Sequence, residues 1–317
     1  MFTIIFNITE AVPLPDDKEF ESITLMQIGI RFREDRNVLI EWCRKYGLLA
    51  TEMDCPRCHV KCEEKAYARS VDLITWRCYR RECRKTINIR TGSFFAKSHL
   101  KLWQIIGLTY MWSVNCGRPT SRGLLQENMK RELEIGGDHT LVDWMKYCRN
   151  VAATFLISHP QQIGGPGNLV EIEECVIAKH KNHSGHEIPE QWLIGLYQPG
   201  TRIGMLVSVR ERNAETFIPI ITKWVGSGSK ISSDMWTEYK ELSNYGYVNA
   251  NDTGVTKNRS ECTWKRARNK IKAIHAPTST DMIMADYFIQ FMWYQQFKDA
   301  PFFHFWNQIS TELYTFY

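Results

Sequence analysis

The sequence predicts an α/β protein: a mixed sheet with flanking helices, preceded by a small cysteine-held module and a helical segment. Three observations lead there. Two close cysteine pairs lie between residues 55 and 83, three segments of helical periodicity follow, and beyond residue 168 short apolar strands alternate with helices. A chain of 317 residues suits one domain of about 150 residues plus smaller modules. With 44% apolar and 12% aromatic residues it has ample material for packed cores, so disorder is not the default reading.

In chain order, residues 1–50 read as an N-terminal helical segment. Within it DRNVLIEWCRKYGLL carries Val38, Leu39, Trp42 and Cys43 at helical spacing and ends at Gly47. Residues 51–97 are rich in Cys and basic residues. Residues 98–163 hold the helical periods: Leu102, Ile105, Ile106, Thr109 and Trp112 on one face, a turn at Gly117 to Pro119 with Thr120 as N-cap, a shorter helix to about Arg131, and a third helix from Thr140. Gly164 to Asn168 (GGPGN) reads as a linker. The α/β domain over 164–298 begins with the strands LVEIEECVIA, QWLIGLYQ and RIGMLVSVRE, the last two joined by a Pro199-Gly200 turn. AETFIPIITKWV then suits a helix, SKISSDM a short buried strand, TEYKELSNY a helix, and 260–275 a basic helix. Residues 299–317 read as a C-terminal tail.

Cys55-x-x-Cys58 and Cys78-x4-Cys83, 19 residues apart, each form a turn able to present two thiolates to one tetrahedral Zn²⁺, with Cys62 nearby as a substitute ligand. This spacing predicts a zinc ribbon whose structural Zn²⁺ supplies folding energy that about 40 residues with few aliphatics lack. Arg77, Arg80, Arg81, Arg84, Lys85 and Arg90 cluster around the second pair and suit either phosphate binding or a solvated face. The three helices fit a helix-turn-helix-like module, with Lys146, Arg149 and Asn150 beside Asp143 on the exposed face of the last; helix packing without DNA fits equally.

Forty Lys and Arg against thirty-five Asp and Glu give a net charge of +5, compatible with a polyanionic partner without requiring one. The opening Met-Phe-Thr-Ile-Ile-Phe has no basic flank and soon meets Asp16 and Asp17, so no signal peptide is expected, and no segment predicts a membrane span. Of ten cysteines, four fall in metal-ligand spacing and the rest are scattered, which favours a reducing compartment, cytosol or nucleus.

Glu171, Glu173 and Glu174 interrupt an apolar strand, and alternation puts Glu171 and Glu173 on one face. Carboxylates there need solvent or a cation. Asp234 ends a second strand, and Glu261 opens a helix on which Lys265, Arg268 and Lys272 share its face. Such a triad can hold a pair of Mg²⁺ ions for phosphodiester chemistry, although acidic residues are numerous enough for accidental triads.

The order of motifs resembles the Merlin superfamily of transposons and related bacterial insertion sequences, over about residues 35 to 298. The carriers are Thr91-Gly92-Ser93-Phe94-Phe95, VEIEE at 170–174, KHKNHSGHEIPEQWLIGL at 179–196, ISSDMWTEY at 231–239, NRSECTWKR at 258–266 and FIQFMWYQQF at 288–297. The resemblance implies a ribonuclease-H-like DDE transposase domain. Glu173, Asp234 and Glu261 would be its catalytic ligands for Mg²⁺ or Mn²⁺, and Lys179, Lys181, Lys265, Arg268 and Lys272 would contact DNA. Trp236, Tyr239 and Trp264 match family aromatics and are assigned to packing. Double-stranded transposon ends and target, a homodimer or higher assembly at synapsis, and nuclear location in a eukaryote or cytoplasmic location otherwise follow in the same way. Two departures stand out: Glu173 replaces the family's Asp, and Ala250 stands where many relatives have His, ahead of a shortened segment to Asn258.

Overall fold

The computed structural model describes residues 18–116, 122–178, 191–201, 203–233, 240–250 and 281–313. Its helices in chain order are α1 Lys18–Ser22, α2 Leu25–Ile28, α3 Arg36–Lys45, α4 Leu102–Asn115, α5 Arg122–Leu133, α6 Asp138–Ser158, α7 Ala214–Trp224, α8 Asp281–Phe297 and α9 Pro301–Gln308. The strands are β1 Cys62–Ala66, β2 Ile74–Cys78, β3 Thr86–Asn88, β4 Ile163–Gly164, β5 Leu169–Ala178, β6 Gln191–Tyr197, β7 Gly204–Val209, β8 Val225–Gly226, β9 Lys230–Ser232 and β10 Val248–Asn249. The chain is thus mixed α/β with several sheets. It divides into two compact units, one of residues 1–114, 126–151 and 299–317, the other of 115–125 and 152–298.

In the first unit, α3 starts where Asp35 accepts hydrogen bonds from the Asn37 and Val38 amides, and the chain turns at Gly47 with φ +65°. Its buried face is Leu39, Ile40, Trp42 and Cys43, whereas Val38, expected inward, is exposed. The β1–β2–β3 sheet is antiparallel, with Cys62 opposite Cys78 and Trp76 opposite Ile87. Helix α4 departs from the one-sided face its apolar spacing predicts. Eleven of its residues are buried, including Gln104, Thr109 and Ser113. Those three satisfy themselves locally or on nearby backbone: Thr109 Oγ1 donates to the Ile106 carbonyl, Ser113 Oγ to that of Tyr110, and Gln104 Nε2 to that of Leu133. On α6, Lys146 and Asn150 are exposed, as is Asp143.

The second unit is built on a five-stranded sheet of order β10-β9-β5-β6-β7. Strands β5, β6 and β7 form an antiparallel meander, and β9 and β10 extend it in parallel from β5. The turn between β6 and β7 closes at Gly200, φ +89°, as expected of Pro-Gly. Alternation gives the sheet two different faces. Val170, Ile172, Ile194 and Leu196 pack with Phe217, Ile218 and Ile221 of α7, a helix capped by Asn213. On the other face Leu193 and Leu206 pack with Phe288 and Phe291 of α8.

The GGPGN segment is not the free linker its composition suggests. Gly164 belongs to β4, which pairs with β8. The Gly165 amide donates to Ser229 Oγ at 2.8 Å and the Gly167 amide to the Gly228 carbonyl at 2.9 Å. The glycines serve close approach: a Cβ on Gly164 would stand 2.2 Å from Ser229 Oγ. Among the described residues no helix is long and apolar enough to cross a membrane.

Candidate functional site

Two groups of predicted ligands have different standing in the structure. The first is the cysteine cluster. Cys55 and Cys58 sit on a turn in which the His59 amide donates to the Cys55 carbonyl at 2.8 Å and the Cys55 amide to that of Val60 at 2.9 Å. The second turn is held alike: the Cys78 amide donates to the Lys85 carbonyl, and the Cys83 and Arg84 amides to that of Arg80. Each knuckle is closed by a residue in the left-handed region directly after its second cysteine, His59 at φ 54° and Arg84 at φ 43°.

These turns bring the four Sγ atoms within 4.8 Å of one another, with Cys55 to Cys83 and Cys58 to Cys78 each at 3.5 Å. Four sulfurs about 2.3 Å from a central ion lie roughly 3.8 Å apart, so the cluster has the dimensions to hold a metal ion such as zinc. Cys62 is not a member. It stands opposite Cys78 at the head of β1, its Sγ directed to the Val60 carbonyl at 3.9 Å, and burial with the neighbouring Cys55 and Cys58 pushes its thiol up.

The thiols of the cluster are unequal. Burial pushes Cys55 up, but the Arg57 and Cys58 amides and the thiols of Cys83 and Cys58 outweigh it and bring its pKa down to about 6. Cys78 is pushed up to about 12, by burial first and by the surrounding thiols, against the Arg80 amide. A shared site that stabilises one thiolate and penalises the next is what a divalent cation relieves.

Of the basic residues around the second knuckle, Arg77, Arg80, Arg81, Arg84 and Lys85 are exposed. Arg90 departs from the expected cluster. It is 2% exposed, gripping Asp72 through Nε at 2.6 Å and Nη2 at 2.7 Å and donating from Nη1 to the Leu100 carbonyl. Nothing in the spacing of cations separates Arg90 from its neighbours; the signal is Asp72, 18 residues earlier, which the strand pairing brings alongside.

The second group is the acidic strand. On β5, Glu171 lies opposite Tyr197 of β6 and Ser232 of β9, and Glu173 lies opposite Gly195. Glu171 and Glu173 share a face, as alternation predicts. Glu171 is buried at 3% exposure, whereas Glu173 is half-buried and faces a residue without a side chain. Glu174 points to the α7 side, where Arg212 Nε donates to it at 2.9 Å while the guanidinium lies 4.9 Å over Trp192. That ion pair is a structural use of a carboxylate that sequence alone does not distinguish from its neighbours. Asp234 and Glu261 lie outside the described residues, as do Lys179, Lys181, Lys265, Arg268 and Lys272. His183 and His186 of the 179–196 segment, and Trp236, Tyr239 and Trp264, lie outside them too. Ala250 is fully buried.

No protein-family model matches the chain, and no curated protein matches it either.

Proposed function

We propose that the chain is a DDE-type DNA transposase that cleaves at terminal inverted repeats and transfers the freed 3′ end, built on a ribonuclease-H-like domain behind a zinc ribbon. The observation that carries this reading is the centre of the mixed sheet. Strand β5 leads into the meander on one side and β9 leads to β10 on the other, and carboxyl ends of adjacent parallel strands that part in this way leave a crevice. Glu173 lies just past the last residue of β5 paired with β9, half-buried, with Gly195 leaving room on its face. Ser232 stands across from Glu171, and in the sequence Asp234 follows Ser232 by two residues as Glu173 follows Glu171. A three-stranded meander extended in parallel from its first strand is also the mixed sheet that a ribonuclease-H-like reading calls for.

Glu173, Asp234 and Glu261 are the residues proposed to hold Mg²⁺ or Mn²⁺, which when bound would activate water or a 3′-hydroxyl and stabilise the leaving oxygen. Lys179, Lys181, Lys265, Arg268 and Lys272 are proposed to hold duplex DNA, two ends of which require at least a homodimer at synapsis. Zn²⁺ at Cys55, Cys58, Cys78 and Cys83 is proposed as structural. The test is purified protein with Mg²⁺ or Mn²⁺ and a duplex carrying the inverted repeats that flank its coding sequence. Nicking is expected, and Asp234→Asn should abolish it; equal nicking by that variant sinks the assignment.

A second reading, a catalytically impaired or domesticated DNA-binding protein, is favoured by one observation: Glu173 stands where the resembling family has Asp. The longer side chain moves the carboxylate by roughly one bond, and about 1 Å of misplacement can cost on the order of 100-fold in rate. A large gain in nicking from Glu173→Asp would mark a crippled site. Salt-sensitive binding without nicking in either form decides for the second reading.

A further inference from the structure

We infer that the second cysteine knuckle is a duplex-DNA backbone contact, made by Arg77, Arg81, Arg84 and Lys85 with Tyr79 among them. The inference deepens the DNA-transposase reading and rests on it for the partner. The two knuckles of the ribbon carry charge very differently. Around the first knuckle and β1 the charges balance: Glu52 pairs with Lys61, Glu63 with Lys65 at 2.8 Å and Glu64 with Arg44, while the knuckle itself carries one exposed cation, Arg57, and one exposed acid, Asp54. Around the second knuckle, five exposed cations meet one exposed acid, Glu82, which lies 3.7 Å from Arg80. Among the described residues Arg77, Arg81, Arg84 and Lys85 form no ion pair within 4.0 Å; Glu63, across the strand pair from Arg77, is taken by Lys65.

A divalent ion held by four thiolates leaves a net charge of about −2. That accounts for some of these cations but not for all, and the excess faces solvent. The patch is also pre-organised. The knuckle backbone that carries Tyr79, Arg80, Arg81 and Arg84 is tied by the Cys78-to-Lys85, Cys83-to-Arg80 and Arg84-to-Arg80 hydrogen bonds, so a partner does not have to order the loop.

The chemistry of the patch chooses the partner. Three of its four cations are arginines, whose planar forks match phosphate oxygens in pairs. Within the knuckle, residues 78–85, the exposed large apolar side chain is Tyr79, at 63%. A phenol with a hydroxyl tip suits the wet backbone of a duplex, whereas insertion into an anionic membrane would call for a larger apolar face of residues such as Trp, Phe and Leu.

The experiment measures affinity of the full-length, zinc-loaded protein for a fluorescent duplex across salt concentrations. The Arg77→Gln/Arg81→Gln/Lys85→Gln triple variant is compared with Lys61→Gln/Lys65→Gln, at and just before β1. Each phosphate contact contributes about −0.9 to the slope of log K against log salt, so the triple variant should flatten the slope by about 2.7 and the control should leave it unchanged. Bound zinc is measured in every variant. Should the triple variant lose zinc, Arg84→Gly serves instead, since it removes one cation at a left-handed residue where glycine is unstrained, and it should flatten the slope by about 0.9.

An unchanged slope, or equal flattening by the control, overturns the inference. So does patch-dependent binding to phosphatidylserine vesicles in place of duplex. Loss of about tenfold in oligo(dT) binding by Tyr79→Ala, with duplex binding unaltered, would overturn the duplex assignment in favour of single strands. Nicking is scored separately. Nicking with an unaffected slope rejects the knuckle and keeps the transposase, whereas a knuckle-dependent slope without nicking does the reverse.

Discussion

Arg90 and Asp72 show how one cation in a basic run acquires a different task from its neighbours. Both side chains are almost fully buried, and the guanidinium satisfies its donors on the carboxylate and on the Ser98 and Leu100 carbonyls. Breaking such a pair strands a buried charge, which typically costs about 3–5 kcal/mol. Asp72→Asn is therefore expected to lower the stability of the first unit by that order in urea unfolding; a loss below about 1 kcal/mol would mean the carbonyls alone satisfy Arg90.

The cysteines make a second prediction at this scale. In the metal-free protein Cys55, at about 6, is ionised at pH 7.5, while Cys78, at about 12, is protonated. Zinc binding at pH 7.5 should therefore release at least one proton, from Cys78, and fewer than four in all, measurable with a pH indicator in weak buffer. The depressed Cys55 value has a definite sign. Its contribution to metal-free stability is full above the ordinary thiol value of 9.0 and is lost as pH falls to about 6. Release of four protons would contradict the assignment of Cys55 as the ready thiolate.

At the scale of elements, β5 Leu169–Ala178 and α7 Ala214–Trp224 fall on the segments their periodicity predicts, because alternation and capping are local signals. GGPGN behaves differently, since a glycine cluster is equally the signature of a loose linker and of backbones that must approach closely. Gly164 and Gly200 separate the two cases. Both have positive φ, yet a Cβ on Gly200 meets nothing within 4 Å, while one on Gly164 would meet Ser229 Oγ at 2.2 Å and Val170 Cγ2 at 2.8 Å. Gly200→Ala should cost about 1–2 kcal/mol from backbone strain alone, and Gly164→Ala should add about 1–3 kcal/mol from overpacking. Equal thermal shifts for the two would show that the 164–168 segment is not pinned.

At the scale of the whole molecule, the first unit is assembled from pieces distant in sequence. The residues read as a tail form α9, whose Phe302, Phe305 and Trp306 are buried. Phe302 stacks on Phe20 at 5.5 Å, Trp306 stacks on Phe95 at 5.4 Å, and Phe305 lies 5.5 Å from Trp112. A chain ending at Lys298 would leave those rings without partners. Losing three buried aromatics at about 3–5 kcal/mol each exceeds the stability of an ordinary domain. Such a chain should show non-cooperative tryptophan-fluorescence unfolding; a wild-type midpoint would refute the role given to α9.

What the sequence by itself determined is what depends on near neighbours: the knuckle spacing of Cys55, Cys58, Cys78 and Cys83, the strands of the meander, and the shared face of Glu171 and Glu173. The tertiary structure alone decided that β9 lies beside β5, that Arg90 turns inward, that α4 is buried on nearly every side and that α9 completes a core. The physical reason is the same in each case. Burial and pairing are settled by surfaces from residues far along the chain, and a local pattern states which side chains need a partner without stating which partner meets them.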